Sequence, residues 1–339
     1  MSRIPTCFPR SSLNSAGYPF SARRPPSPAR QIHDRHCAKA DLMLTTIILT
    51  RDEERHIARA IGSVAGLGGR VVVVDSGSTD ATVEIARSLG AEVLVNPWRN
   101  YATQFNWALD QLAEGTGWVL RLDADEVVTP DLAVQIAATL PGLGPEVEGL
   151  IVGRRMTFMG RIIRYGGLFP IRVLRLFRHG KGSCEDRWMD EHVKVSGRVI
   201  DLPGEILDDN LNSLTWWTAK HNSYASREVV DLLNLEYGFM AHDTVAGIGK
   251  SQAGAKRWIK EKVYARFPRG LRALVYFLYR YIVRLGFLDG REGTAFHVLQ
   301  GFWYRYLVDA KLHEVKAHMR RHRVSVVTAI DQVLGIKVS

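Results

Sequence analysis

Between Leu44 and Asp123 four short apolar runs, LTTIILT (44–50), RVVVVD (70–75), AEVLV (91–95) and WVLRLD (118–123), alternate with three segments of helical spacing. Those segments are EERHIARAIGSV (53–64), STDATVEIARSLG (78–90) and YATQFNWALDQLA (101–113). Buried strands alternating with helices imply parallel strands joined by crossovers, and such a sheet needs helices on both faces. Ser78 or Thr79 is placed to cap the second helix and Gly90 to end it.

Open sheets of this kind bind ligands beyond the carboxyl ends of their strands. Three of those ends are polar here: Thr50-Arg51-Asp52-Glu53-Glu54, Asp75-Ser76-Gly77-Ser78-Thr79-Asp80 and Asp123-Ala124-Asp125-Glu126. No GxGxxG follows the first run and no GxxxxGK[ST] occurs, so dinucleotide and P-loop sites lose their main support. Asp123 and Asp125, alternate residues of an extended segment, project to the same side. Two such charges near a buried strand end are costly unless a cation joins them. Carboxylate oxygens suit Mg²⁺ or Mn²⁺, which keep positions open for substrate phosphate and make a diphosphate a better leaving group. An acidic loop opening a helix near Asp131, after Pro130, would give the same string, so the pair alone does not decide.

Together, TTIILTRDEE, VVVVDSGSTDAT and VLRLDADEVV, in that order, resemble glycosyltransferase family 2, inverting enzymes of the GT-A fold, over roughly residues 44–215. The resemblance implies an α/β GT-A nucleotide-diphospho-sugar transferase fold, a mainly parallel sheet flanked by helices, in a catalytic domain at 43–215. It implies Thr50 and Glu53 near the nucleoside, Asp75 on the base, and Asp123 with Asp125 at ribose, metal and diphosphate. Many GT-A enzymes give a late His to the metal. Leu207-Asp208-Asp209-Asn210 stands there instead, so Asp208 or Asp209 replaces it or the metal has fewer protein ligands.

Within the family, TRDEE and a later DEH resemble the bacterial branch that includes lipopolysaccharide-core β-glucosyltransferases. That implies transfer of a hexose, glucose favoured, from a nucleoside diphosphate sugar, UDP favoured, to a lipid-linked saccharide. O-antigen and capsule are alternative acceptors, and a non-catalytic membrane-associated scaffold retaining the fold is the alternative class.

In a single in-line displacement a carboxylate takes the proton of the acceptor hydroxyl. Acids cluster in GSCEDRWMDEHVKVSG (182–197), between the strand-like RVLRLF (172–177) and HVKVSG. The resemblance favours Glu191 as base, then Asp190, with Glu185 and Asp186 behind them. Arg187 in the same loop is a candidate substrate contact, or it pairs with the acids in a solvated loop. His192 orients the carboxylate or caps a core.

Past residue 215 the composition changes, to a helix and linker (216–255), amphipathic basic and aromatic helices (256–320) and a C-terminal tail (321–339). The run 271–288 is nearly long enough to span a bilayer, but arginines interrupt it. On a helix Arg269, Arg272, Arg280 and Arg284 fall within an arc of about 120°, opposite Leu274, Leu278 and Leu285. A helix lying in the membrane interface would turn the arginines to anionic headgroups and the leucines to the acyl boundary, with Trp303, Tyr304 and Tyr306 nearby. The expected place is peripheral, on the cytoplasmic face of the inner membrane. Packing on the catalytic domain with the arginines in water, or a dimer interface, are the alternatives. Nucleic acid is not expected, because the cations lie on amphipathic helices rather than along a groove.

Residues 1–42 hold half of the net charge of +10 and are rich in Pro, Ser and Arg, so a disordered basic tail is expected, and a start of translation at Met43 accounts for it equally well. Cys7, Cys37 and Cys184 lie far apart with no metal-ligand spacing, which fits a reducing compartment.

Overall fold

The computed structural model describes residues 43–185, 192–240 and 270–338. The basic tail, Asp186, Arg187, Asp190, Glu191 and Arg269 lie outside the described residues.

Three of the four runs become strands with the bounds expected: β1 (Leu44–Thr50), β2 (Arg70–Asp75) and β4 (Trp118–Asp123), while β3 (Glu92–Val95) begins one residue late. Helices α1 (Ile57–Val64), α2 (Thr82–Ser88) and α3 (Tyr101–Asp110) connect them. β1 lies between β2 and β4, and β2 pairs with β3, all parallel. Because successive residues of a strand face opposite sides, Ile48, Val73 and Leu120 pack under α1, whereas Ile47, Val72 and Val119 pack under α3. Both faces are thus covered.

The second half makes the sheet mixed rather than mainly parallel. After β4 come β5 (Glu126–Val128), α4 (Pro130–Thr139), β6 (Val147–Phe158), β7 (Arg161–Ile162), β8 (Ile171–Arg178) and β11 (Arg198–Asp208). The order is β3-β2-β1-β4-β8-β6-β11-β5, with β7 on β6. β8 runs antiparallel to β4 and β6, and β5 antiparallel to β11. β6 and β8 are joined without a helix, the usual crossover of a parallel pair, and the chain returns antiparallel. β9 (Gly182–Cys184) and β10 (Val193–Val195) form a separate hairpin on either side of residues 186–191.

Ser78 and Thr79 do not cap α2, whose N-cap is Ala81 without a side-chain hydrogen bond. Their groups are taken up by the loop after β1, since Ser78 Oγ accepts from Asp52 N at 2.8 Å and Thr79 N donates to Asp52 Oδ1 at 2.7 Å.

The long helix α5 (Leu214–Tyr237) begins at a Ser213 cap and packs Val229, Val230 and Leu233 against Val308, Leu312 and Val315 of the helix Tyr304–His322. Residues 321–339 are not a bare tail, because the helix Val326–Leu334 buries Ala329 and Ile330 in the same core.

The arginine face of residues 271–288 is turned the other way from expectation. Arg280 is 1% exposed, hydrogen-bonded to Gln300 and packed on the rings of Tyr276 and Phe296, and Arg272 pairs with the buried Asp309. Leu274, Val275, Leu278, Ile282 and Val283 point outwards instead, and only Arg284 of the three described arginines is exposed. A helical wheel separates two faces but not which one meets the protein. Here Asp309 receives Arg272, and Gln300 and two rings receive Arg280, whose Nε and Nη2 have no hydrogen-bond partner among the described residues. Among the described residues no helix is long and apolar enough to cross a membrane.

Candidate active site

The parallel register brings the three polar strand ends level. Thr50 stands opposite Asp75, and Leu49 opposite Asp123. Thr50 Oγ1 donates to Asp75 Oδ1 at 3.0 Å, and Asp75 Oδ2 accepts from the backbone N–H groups of Gly77 (2.9 Å) and Ser78 (2.8 Å). Gly77, at φ +90°, gives the turn its left-handed residue. Glu53 lies beside this loop, its N–H donating to Thr82 Oγ1 at 2.7 Å and its Oε2 lying 2.6 Å from His56 Nδ1. The first two strand ends are therefore laced together, which brings Thr50, Glu53 and Asp75 into one region.

Asp123 and Asp125 are held differently from one another. The Asp123 carboxylate meets Arg175 at 3.0 Å and Arg121 at 3.7 Å. Asp125 Oδ2 accepts from Asn210 Nδ2 at 2.9 Å, and among the described residues it makes no ion pair. Beneath Asp123 lies a buried charge cluster in which Glu126, 1% exposed, contacts Arg175 and lies 3.4 Å from Arg154, which in turn pairs with Asp208 at 2.7 Å. Burial opposes ionisation of Asp123, but the charges of Arg175 and Arg121 outweigh it and hold its carboxyl well below the usual range. The balance reverses deeper in: burial pushes Glu126 up to about 7 against the pull of Arg175, and Asp208 up to about 6 against Arg154.

Asp208 and Asp209, the candidates for a late metal ligand, are both committed to arginines, Asp208 to Arg154 and Asp209 to Arg59 at 2.6 Å. Among the described residues no three His, Cys, Asp or Glu are arranged to hold a metal ion between them. One carboxylate, that of Asp125, nevertheless fits a Mg²⁺ or Mn²⁺ that draws its other ligands from water and substrate phosphate, the ordinary habit of such ions.

The segment with Glu191 and Asp190 leaves and rejoins the described chain at the β9–β10 hairpin, and Asn106 of α3 clamps that hairpin through both backbone groups of Cys184, at 2.8 and 2.9 Å. Glu185 is buried and pairs with Lys194 at 2.8 Å, so it is engaged as a structural anion.

Sequence reasoning missed His56, Arg154 and Arg175, and it placed Glu126 and Asn210 only within longer polar strings, without a role. Arg175 had a signal: a cation inside the apolar strand RVLRLF is costly unless an anion meets it. His56 had a local one, Glu53 three residues before it, whereas Asn210 had none, because its partner Asp125 is distant in sequence.

A mixed sheet of this order, with helices on both faces and acids at the carboxyl ends of β1, β2 and β4, defines the nucleotide-diphospho-sugar transferase, or GT-A, fold. The model of the family Glycosyl transferase family 2 matches residues 45–148. An uncharacterized glycosyltransferase of Rickettsia prowazekii (strain Madrid E) is 44% identical over 284 residues, 80% of this chain and 87% of that one. The chain belongs to glycosyltransferase family 2 and is a glycosyltransferase. Lipopolysaccharide core biosynthesis glycosyltransferase LpsC of Rhizobium meliloti (strain 1021) is 32% identical over 149 residues, 42% of this chain and 54% of that relative. The structure of glucosyl-3-phosphoglycerate synthase from Mycobacterium tuberculosis in complex with Mn²⁺, uridine-diphosphate and glucosyl-3-phosphoglycerate matches 33% of this chain and 44% of that one, at 23% identity and TM-score 0.29. That overlap is too small to carry an argument.

Proposed function

We propose that the enzyme moves a hexose, glucose favoured, from a nucleoside diphosphate sugar to a lipid-linked saccharide, with lipopolysaccharide core the favoured acceptor, by a single in-line displacement. The observation that carries this reading is the register of three neighbouring strand ends, which sets Thr50 opposite Asp75 and Leu49 opposite Asp123, with Asp125 two residues beyond. The nucleoside lies along Thr50, Glu53 and Asp75. Asp123, steadied by Arg175, faces the ribose, and Asp125 holds the divalent ion. The ion, when bound, neutralises the diphosphate and improves it as a leaving group. Glu191, or Asp190 beside it, takes the acceptor proton, with Arg187 as a substrate contact in the same loop. The similarity to LpsC supports the core acceptor.

Attachment to the cytoplasmic face of the inner membrane is part of the reading. The outward row Leu274, Leu278, Ile282, Val283, Leu285 and Phe287 is apolar and exposed; Arg272 and Arg280 are turned in, and Arg284 is exposed beside it. Residues 250–269 add seven Lys or Arg and one acid just before it in sequence, which favours an anionic bilayer over a second, equally basic copy of this chain.

Incubation with a panel of nucleotide sugars and Mn²⁺, following release of nucleoside diphosphate, tests the reading. Release from one donor with a hexose is expected. Folded protein that neither binds nor turns over any of them would be the non-catalytic scaffold instead.

A further inference from the structure

The start of α5 is pinned to the strand ends. Asp209 N donates to the carbonyl of Asp125 at 2.9 Å, and Leu211 N donates to Nε2 of His56, whose other nitrogen meets Glu53. From that anchor, Trp216, Lys220 and Tyr224 follow at spacings of four and share one face of the helix. Lys220 Nζ lies 4.4 Å from the centre of the Trp216 ring and 5.8 Å from that of Tyr224. Tyr224 acts electrostatically on both Lys220 and Tyr101, the first residue of α3. The ammonium is therefore held between the Trp216 and Tyr224 rings, on the helix whose start is tied to Asp125 and His56.

Two acids act on it, Asp125 and Glu53, yet Lys220 makes no ion pair with either among the described residues. Lys194 closes on Glu185 and the buried Lys316 on Glu236, whereas Lys311 bonds the Asn222 carbonyl and Ser226 Oγ. Burial works against the charge of Lys220, but Tyr224, Asp125 and Glu53 raise its pKa above the ordinary value, so it is an ammonium at neutral pH. A cation in the field of two carboxylates that pairs with neither can meet an anion.

We infer that Lys220 binds the diphosphate of the donor from the side opposite Asp125 and stabilises the charge that develops on the leaving group. This rests on the donor reading above and adds a residue to it. As the bond from the acceptor oxygen to the anomeric carbon forms, the bond from that carbon to the diphosphate oxygen breaks, and its electron pair leaves with the diphosphate. The ammonium keeps its proton and donates a charge-assisted hydrogen bond to that oxygen or its neighbour. The acceptor proton goes to the carboxylate base, so the step balances without a proton from Lys220.

The test compares affinities by calorimetry for UDP, GDP, ADP and CDP and for the matching nucleosides. With the diphosphate that wild type binds best, Lys220→Gln should bind about tenfold or more weakly, the range for a lost charge-assisted hydrogen bond. Its affinity for the nucleoside alone should stay unchanged, and Lys220→Arg should recover most of the loss. Equal diphosphate binding by wild type and Lys220→Gln overturns the inference and leaves the donor reading standing. Failure of wild type to bind any diphosphate overturns both. If Lys220→Gln does not fold, acetylation of wild-type lysines read by mass spectrometry replaces it: the diphosphate should protect Lys220 and the nucleoside should not, and equal labelling in both overturns the inference.

Discussion

Arg175 Nη2 lies 3.0 Å from Asp123 Oδ2 and the same nitrogen reaches Glu126, so the first acid of Asp-Ala-Asp is pinned from a neighbouring strand. Arg175 is 5% exposed, and removing one partner of a buried ion pair typically costs about 3–5 kcal/mol. Arg175→Met should therefore lower stability by that order and loosen Asp123, reducing donor affinity in whatever folded protein remains. Denaturant titration with nucleotide binding on the same samples checks this, and a stable variant with normal binding would remove Arg175 from the site.

The pH dependence of stability should carry the signature of Glu126. Its folded pKa, about 7, lies above its ordinary value of 4.5, so between these the folded state holds the proton and the unfolded state does not. The stabilisation is complete below about 4.5 and is lost as pH rises through about 7. His297, pushed down to about 4 by burial and by Arg280, gives the opposite slope between pH 4 and 6.5, but it is common to wild type and Glu126→Gln. The difference between their Tm curves should thus fall against wild type from pH 5 to 8. Parallel curves would mean that Glu126 does not take up a proton on folding.

Much of the cleft was legible because an apolar β-branched run ending in acids fixes both the strand and the end that matters; β1, β2 and β4 stop where their sequence stops. What lay hidden was set by tertiary pairing. β5 follows Asp125 directly but pairs with β11, eighty residues later in the chain, with Glu126 opposite Asp208. The mixed charge cluster under Asp123 is assembled from β4, β5, β6, β8 and β11, and no local pattern announces it. Residues 271–288 show the limit of a helical wheel, which separated arginines from leucines yet could not tell that Asp309 and Gln300 would receive the arginines.

The base is tested by two amides. Glu191→Gln should bind the donor normally and lose about 10²–10⁴-fold in transfer, the usual contribution of a general base. A large loss in Asp190→Asn with little in Glu191→Gln would move the role by one residue.

Membrane attachment should depend on the outward apolar row. Ile282 and Val283 are 55% and 67% exposed, so changing both to Glu should leave the fold intact. Burying such side chains is worth about 1.5–3 kcal/mol each, and partition onto vesicles of anionic lipid should drop by more than about tenfold. Undiminished co-sedimentation would contradict this, and a stable dimer of wild type that dissociates in the double variant would assign the row to a second copy.

The most direct measurement is calorimetric binding of the preferred nucleoside diphosphate with and without Mn²⁺, for wild type and Asp125→Ala. Wild type should bind more tightly when the ion is present. Asp125→Ala should stay folded, because its carboxylate bonds only Asn210 among the described side chains, and should lose that increment together with transfer activity. An Asp125→Ala protein that keeps the full metal-dependent gain in affinity would contradict the assignment of the metal and diphosphate to the end of β4.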